Sequence, residues 1–541
     1  MAPHEAATVH AAFAAVAHAN GARPFFLTPG SAPIDYASAL ERVEALAGRY
    51  RERGYGVGAR VALLLENRPE FLFHYLALNR LGASVVPLNP DYREAELAYV
   101  LGHSEACLAV TFAAHAPRLR GVACALADAG FDPPAAPAAP AHTAHTAHTA
   151  HAAHAAHTDH APTRTGEAAL LYTSGTTGNP KGCIISNDYI LGLGRLYNTE
   201  GGLCTVREGV ERLITPLPLF HMNALCCSTT AMILAAGCVV QLDRFHPRSW
   251  WQDVAASGAT IVHYLGVMPA ILMAQPEGPH DRAHQVRFGF GANANPKDHA
   301  AFEARFGFPL TEAWAMTETG GGAAITASRE PRHVGTRCFG RPREGIELRI
   351  VDDAERDVAD GSAGELLVRR AGSDPRAGFF SGYLKDAAAT EHAWRGGWFH
   401  TGDAVRRGAD GQLHFVDRKK NIIRRSGENI AALEVEAALA DHPAVAQVAV
   451  IAAPDALRDE EVLACVVPVA ASTRDTAVAI QDWCLAQLAY FKAPGYVAFV
   501  DALPTTATNK VQKTRLADFG ANPMASERCY DLRDRKKRTS K

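Results

Sequence analysis

The sequence predicts an α/β protein of two or more domains that ends in a compact α+β unit. Three observations carry this. A chain of 541 residues is too long for one hydrophobic core. Short apolar runs alternate with helix-period segments through the amino-terminal part, which implies parallel sheets with helices on their faces. Beyond about residue 420 the helices are segregated onto a few strands, an α+β signature. Hydrophobic residues at 48% and charged ones at 21% describe an ordinary globular chain.

Taken in order, Tyr36, Leu40, Val43, Leu46, Ala47 and Tyr50 recur at helical spacing over 34–54. A short buried strand over 61–65, an amphipathic helix over 69–81 and a strand over 83–88 follow. A helix over 94–102 then leads to a strand over 107–112. Residues 133–163 are of low complexity, with Pro-Ala repeats and then His142, His145, His148, His151, His154, His157 and His160 at period three. Histidine tracts can bind metal. Spaced by alanine and threonine, without acidic partners, these are expected to form a flexible surface insertion. Further on, strands are expected over 213–221, 238–242, 260–266 and 286–293, with an apolar helix over 224–236. His280 and His284 have metal-ligand spacing, but Pro276, Gly278 and Pro279 make that stretch a loop.

The stretch around which the chain is organised is Leu170-Leu171-Tyr172-Thr173-Ser174-Gly175-Thr176-Thr177-Gly178-Asn179-Pro180-Lys181-Gly182. An apolar strand gives way to hydroxyl and glycine residues. Glycines let successive backbone N–H groups approach an anion. Thr173, Ser174, Thr176 and Thr177 add hydroxyl donors, and Lys181 adds positive charge. This is a polyphosphate clamp in composition, but a P-loop needs a Gly-Lys-Ser/Thr triplet that Pro180-Lys181-Gly182 does not supply.

Residues 173–182 resemble the signature loop of the adenylate-forming superfamily: acyl- and aryl-CoA synthetases, amino-acid adenylation domains and luciferases. Later motifs keep the family's order. Glu312-Ala313-Trp314-Ala315-Met316-Thr317-Glu318 is similar to its aromatic–Thr-Glu motif, with Ala315 where glycine is commoner. By resemblance Trp314 would stack on adenine, Glu312 would lie near the adenine amino group, Thr317 would hold a phosphate and Glu318 would give Mg²⁺ an oxygen ligand. Thr173, Ser174, Gly175, Thr176, Thr177, Gly178 and Lys181 would clamp the leaving pyrophosphate. Gly291 and Ala292 would line the nucleotide site with backbone. Phe220, His221, Met222 and Asn223, with Gly266 and Gly289, become candidates for the acyl pocket. A lone histidine after an apolar run would otherwise read as a hydrogen-bonded core residue.

Gly402-Asp403 follows Trp398-Phe399-His400-Thr401, and Asp403 matches the ribose-binding aspartate. After a strand over 413–416, Asp417-Arg418-Lys419-Lys420 resembles the family's hinge. The implied architecture is a large amino-terminal domain of β-sheets flanked by helices (1–417) joined to a small mobile α+β domain (418–541). Arg418 would contact ribose or phosphate, Lys420 would be the hinge residue, and Gly427 would face a thiol tunnel. Within the small domain, strands are expected over 421–424, 445–451, 464–469 and 496–500, and helices over 432–440 and 476–488. Leu503-Pro504-Thr505-Thr506-Ala507-Thr508-Asn509-Lys510 resembles the catalytic-lysine loop. Thr505 stands where arginine is usual and Asn509 where glycine is, and asparagine tolerates left-handed backbone best among other residues. Lys510 is the candidate catalytic lysine, with Lys513 the alternative.

The resemblance is closest to bacterial crotonobetaine/carnitine-type acyl-CoA ligases. It implies an acid–thiol ligase using ATP, Mg²⁺ and CoA, with AMP and pyrophosphate released. The alternative is an adenylating enzyme that delivers the acyl group to a carrier protein or another nucleophile. No aspartate among 222–227 is available to hold a substrate amine, and no carrier domain follows Lys541, which favours a stand-alone CoA ligase. The partner is then a small carboxylic acid.

A formal charge of −3 gives no electrostatic footprint for nucleic acid or an anionic membrane. Basic residues 533–541 are expected to be a solvated, disordered tail. Eleven cysteines without a Cys-x-x-Cys pair suit buried thiols in a reducing compartment. The first twenty residues lack a basic start followed by an apolar run, and no stretch is apolar enough to span a bilayer, so a cytoplasmic protein is expected. Monomer and homodimer both stay open.

Overall fold

The computed structural model describes residues 3–121, 124–129, 161–173, 180–425, 428–455, 458–470, 472–505 and 510–536. By internal contacts it divides into two units, residues 1–347 with 368–399, and residues 348–367 with 400–541.

The first unit holds two sheets. One has eight strands, with parallel neighbours Leu310–Trp314, Phe288–Ala292, Ile261–Leu265, Arg212–Thr215, Cys238–Gln241 and Pro24–Leu27 in that spatial order. The other has seven. Its middle is the parallel set Glu167–Thr173, Ser84–Pro87, Arg60–Leu64 and Leu108–Thr111, and Lys181–Ser186 runs antiparallel beside Glu167–Thr173. Purely apolar runs such as Val61 to Leu64 and Val85-Val86 form these strands because a parallel strand is covered on both faces.

The predicted helices are present as Tyr36–Glu52, Pro69–Arg80 and Glu94–Ser104. Asp35 starts the first of them by accepting from the Ser38 amide at 2.7 Å. Pro69 starts the second, where its missing N–H costs nothing. That helix is buried continuously from Phe71 to Asn79, so it is not amphipathic as expected. Its polar residues are consumed internally. Asn79 donates to Asn187 Oδ1 at 2.8 Å and accepts from the His10 amide at 2.9 Å. These bonds join it to the helices Asn187–Asn198 and Val9–Asn20, the latter unexpected from the alanine-rich start of the chain.

The predicted strand over 213–221 ends at Thr215, ahead of Pro216 and Pro218. The predicted helix over 224–236 begins with a π-helical turn, Asn223–Ser228, before Thr229–Leu234. Such turns are rare and concentrate at functional sites. Histidines 280 and 284 lie in a loop, and no group of three or more His, Cys, Asp or Glu among the described residues could hold a metal. The His/Ala tract lies outside the described residues, apart from its last residues 161–163.

In the second unit the expected helices are Ala432–Ala440 and Arg474–Gln487. They pack on a six-stranded sheet around a core including Ile430, Val435, Leu439, Val450, Val466, Ile480 and Phe499. The strand Ile422–Arg425 runs antiparallel to Glu428–Ala431, which was not expected as a strand. Asp417, fully buried, receives the Arg418 amide (2.7 Å), the Asn421 side-chain amide (3.1 Å) and the Leu433 amide (2.9 Å). It therefore ties the end of the strand Leu413–Arg418 to the start of Ala432–Ala440.

The basic end is not a solvated tail up to Lys536. Lys536 has a fully buried ammonium 2.5 Å from Glu461, and Glu461 also receives Arg425 Nε at 2.8 Å. Arg533 pairs with Asp455 at 2.8 Å and Arg535 with Asp482 at 2.6 Å. Spacing along the chain does not reveal acceptors that lie 53 to 78 residues away. All eleven cysteines are free, nine of them buried. No helix among the described residues is long and apolar enough to cross a membrane.

Candidate active site

In an open parallel sheet, ligands bind beyond the carboxyl ends of the strands. Four neighbouring strands of the eight-stranded sheet end at Trp314, Ala292, Leu265 and Thr215. The predicted residues Trp314, Ala292, Gly266 and, past Pro216 and Pro218, Phe220 to Asn223 follow those ends. Residues from four separate stretches of sequence are thus gathered along one edge of one sheet.

Glycine is required here by close approach. A Cβ on Gly266 would collide with the Asn293 carbonyl, and one on Gly291 with the Tyr264 carbonyl. Gly289 differs: it lies within its strand, paired with Leu310, and its bare α-carbon makes room for the Leu310 side chain. It serves packing rather than a pocket. Glu312 is buried, and its carboxylate receives the Asn293 amide (2.7 Å), the Ala294 amide (2.7 Å) and the Tyr264 hydroxyl (3.2 Å). Burial, the largest influence, raises its pKa despite these donors. The carboxylate thereby holds the loop after Phe288–Ala292, where Asn293 has a left-handed backbone. Trp314 is buried, its ring 6.1 Å from that of Phe339.

Beyond Trp314 the chain turns, and the Tyr189 hydroxyl donates to the Thr317 carbonyl at 2.8 Å. Glu318 is buried and accepts from the Tyr383 hydroxyl at 2.9 Å. Burial first, then the charge of Glu318, pushes the Tyr383 phenol far up, so it stays a donor. The Lys181 ammonium lies 5.0 Å from the centre of the Tyr383 ring and 3.1 Å from Asp386. Thr173 and Lys181, which flank the clamp in sequence, are cross-strand partners. Ser174, Gly175, Thr176, Thr177 and Gly178 fall outside the described residues.

The acyl candidates adjoin a buried neutral network. Phe220 and His221 have ring centres 4.6 Å apart. Asn223 opens the π-helical turn. Its Oδ1 is 2.9 Å from His263 Nδ1, and His263 Nε2 is 2.9 Å from the Tyr197 hydroxyl. Burial lowers the His263 pKa to about 3, so its imidazole is neutral. Sequence reading missed His263 and Tyr197, since a single histidine in an apolar strand carries no signal.

In the second unit Asp403 and Arg418 are cross-strand partners with an ion pair of 2.8 Å. Lys510 joins them across about a hundred residues of sequence. Its pKa is lowered by desolvation and then by Arg418, while Asp403 opposes the shift. The residue as a whole still presents exposed surface, so the ammonium is crowded rather than enclosed. The expected ribose, phosphate and catalytic residues therefore share one electrostatic neighbourhood. Lys513, the alternative, is tied at 2.7 Å to Glu436. Lys420 lies in the short turn Lys419–Asn421, and Gly427 is outside the described residues.

The profile of the AMP-binding enzyme family matches residues 13–384, and that of the AMP-binding enzyme carboxy-terminal domain matches residues 434–510. The chain belongs to the AMP-binding enzyme family. It is 33% identical to a sulfoacetate–CoA ligase of Cupriavidus necator over 91% of this chain and 94% of that one. It is 31% identical to a crotonobetaine/carnitine–CoA ligase of Citrobacter koseri over 89% and 93%. An o-succinylbenzoate CoA synthetase from Bacillus subtilis, solved with its acyl-adenylate intermediate, shares the fold. Its TM-score is 0.77 at 22% identity, over 94% of this chain and 98% of that one. In this AMP-binding enzyme Glu318 lies in the first matched segment and Lys510 at the end of the second, while Asp403 and Arg418 fall between the two.

Proposed function

We propose that the protein is an ATP-dependent carboxylate–CoA ligase, which makes an acyl-adenylate and then an acyl-CoA thioester, with release of pyrophosphate and AMP. The gathering of Asp403, Arg418 and Lys510 in a chain with full-length CoA-ligase relatives carries this reading. A carboxylate is a poor acyl donor because its leaving group would be oxide. Joining it to AMP supplies a good leaving group.

Carboxylate attack on the α-phosphate brings two anions together, so catalysis is chiefly electrostatic. Lys510 is proposed to bridge the developing charge, with Asp403 accepting from the ribose hydroxyls and Arg418 beside them. Thr173, Ser174, Gly175, Thr176, Thr177, Gly178 and Lys181 are proposed to hold the departing pyrophosphate, and Thr317 a phosphate oxygen. Glu318, a buried carboxylate oriented by Tyr383, fits the hard oxygen donor that Mg²⁺ requires. When bound, Mg²⁺ would neutralise phosphate charge there. Trp314, with the backbone of Gly291 and Ala292, is assigned to the adenine, and Glu312 to fixing the adjoining backbone of Asn293 and Ala294. Phe220, His221, Met222, Asn223 and Gly266 are assigned to the acid. A small domain from Arg418 onward, pivoting at Lys420 and bringing Gly427 to the thiol, is proposed for the second step.

The test incubates the protein with ATP, Mg²⁺ and a panel of carboxylic acids, with and without CoA. AMP, pyrophosphate and a CoA thioester are expected. Adenylate formation with no CoA thioester would instead favour transfer to a carrier protein, and accumulation of ADP would reject adenylation.

A further inference from the structure

The orientation of the Asn223 side chain is decided by a proton count. The Tyr197 hydroxyl is fully buried and, among the described residues, has one hydrogen-bond partner, His263 Nε2 at 2.9 Å. A buried O–H left without an acceptor is costly, so it donates to Nε2. His263 is neutral, and its one proton is therefore on Nδ1. That N–H is 2.9 Å from both Asn223 Oδ1 and Ser228 Oγ. The atom facing it on Asn223 must be the acceptor, the carbonyl oxygen rather than the amide nitrogen. Ser228 completes the arrangement by donating to the Asn223 main-chain carbonyl at 3.1 Å.

Packing fixes the imidazole in place. The Phe290 ring stacks on it at 5.2 Å and 24°, and Tyr197 lies against Phe290 at 4.7 Å. Asn223 is half-buried, and its amide NH₂ has no partner among the described residues. The turn that carries it thus presents two N–H donors and no acceptor from this side chain.

We infer that Tyr197 and His263 lock Asn223 as a hydrogen-bond donor, so that the site prefers acids whose far end carries an acceptor (a sulfonate, carboxylate or carbonyl) over acids ending in a quaternary ammonium or an alkyl group. This rests on reading residues 220–223 as the acid-binding segment. A site built to pair a polar group discriminates strongly against an analogue that leaves its donor unpaired. His263 and Tyr197 are positioning residues and do not themselves touch the acid.

The experiment uses the full chain and acids matched in size: sulfoacetate, glycine betaine and 3,3-dimethylbutyrate, with homologues one and two methylenes longer. AMP formation gives kcat/KM for each. The wild type is expected to favour the sulfonate of the best length by about tenfold or more over both matched acids. Asn223→Leu should bring that ratio near one. His263→Phe should lower it about tenfold through the KM for the acid, with the KM for ATP unchanged, and His263→Gln, which restores a donor, should recover part of it. Thermal unfolding and ATP binding verify that each variant folds. A wild-type preference for the cationic or alkyl acid, or an unchanged ratio in Asn223→Leu when its rates have moved, overturns the donor assignment alone. If Asn223→Leu leaves kcat/KM for every acid unchanged, the acid-binding segment is misassigned as well.

Discussion

Two buried polar networks, one in each unit, solve the same problem differently. Around His263 every group is neutral, and one arrangement of protons satisfies Tyr197, His263, Ser228 and the Asn223 side-chain oxygen together. Around Glu461 the side chains are ionisable: Arg425 and Lys536 converge on one carboxylate with almost no exposure. A neutral network is cheap to bury once its hydrogen bonds are made, and its yield is direction. An ionic cluster carries a desolvation cost that only its complete set of partners offsets. The first suits a segment that must aim a side chain. The second suits a chain end that must be pinned to a small sheet.

The largest expected effect breaks the ionic side. Glu461→Ala leaves two cations buried without a counter-charge and should destabilise the second unit by about 3–5 kcal/mol, measured by urea unfolding. The corresponding neutral lesion, Tyr197→Phe, should cost only about 1–3 kcal/mol.

Next, Lys510→Ala tests whether a cation that is crowded but not enclosed works on charge that develops only during reaction. It should slow pyrophosphate release about 10²- to 10³-fold, while thiol attack on preformed acyl-adenylate is largely retained. Because the Lys510 pKa is lowered, the adenylation rate of the wild type should fall on the alkaline side at a pH below the ordinary lysine range.

A third measurement sharpens the contrast through pH. Burial lowers the Lys536 pKa to about 8 from the ordinary 10.5, even though Glu461 pulls it up. Below pH 8 folding must bury the charged form. Between about 8 and 10.5 the unfolded chain binds the extra proton, so stability should rise with pH through that window. Lys536→Met should abolish this rise, which amounts to no more than about 3 kcal/mol. No matching slope is expected from His263, already neutral above about pH 3 except for the stability lost below its unfolded value near 6.5.

The smallest effect is at Asp386. Its pair with Lys181 is partly exposed, so Asp386→Ala should alter stability by less than about 1 kcal/mol and the KM for ATP by only a few-fold.

Much of this molecule is legible from its letters because periodicity and short motifs are local. The runs that became Arg60–Leu64, Ser84–Pro87 and Leu108–Thr111 are apolar throughout, and only strands covered on both faces need that. The clamp is marked by its glycines and hydroxyls, whereas the Thr317-Glu318 pair and Lys510 are marked only by resemblance to the family's motifs. The unexpected helix Val9–Asn20 shows the limit, since alanine and histidine in a row gave no apolar stripe to read. Gly289 shows another: a glycine that makes room for Leu310 is indistinguishable in sequence from one that makes room for a ligand.

What the chain determined alone was its alternation of elements, its nucleotide motifs and their order, because each depends on neighbours within a turn or a strand. The fold decided which distant groups meet: Glu312 with the Asn293 and Ala294 amides, Lys536 with Glu461, and Tyr197 with His263. Hydrogen bonds and ion pairs act over about 3 Å, and only the folded backbone brings groups dozens of residues apart within that reach.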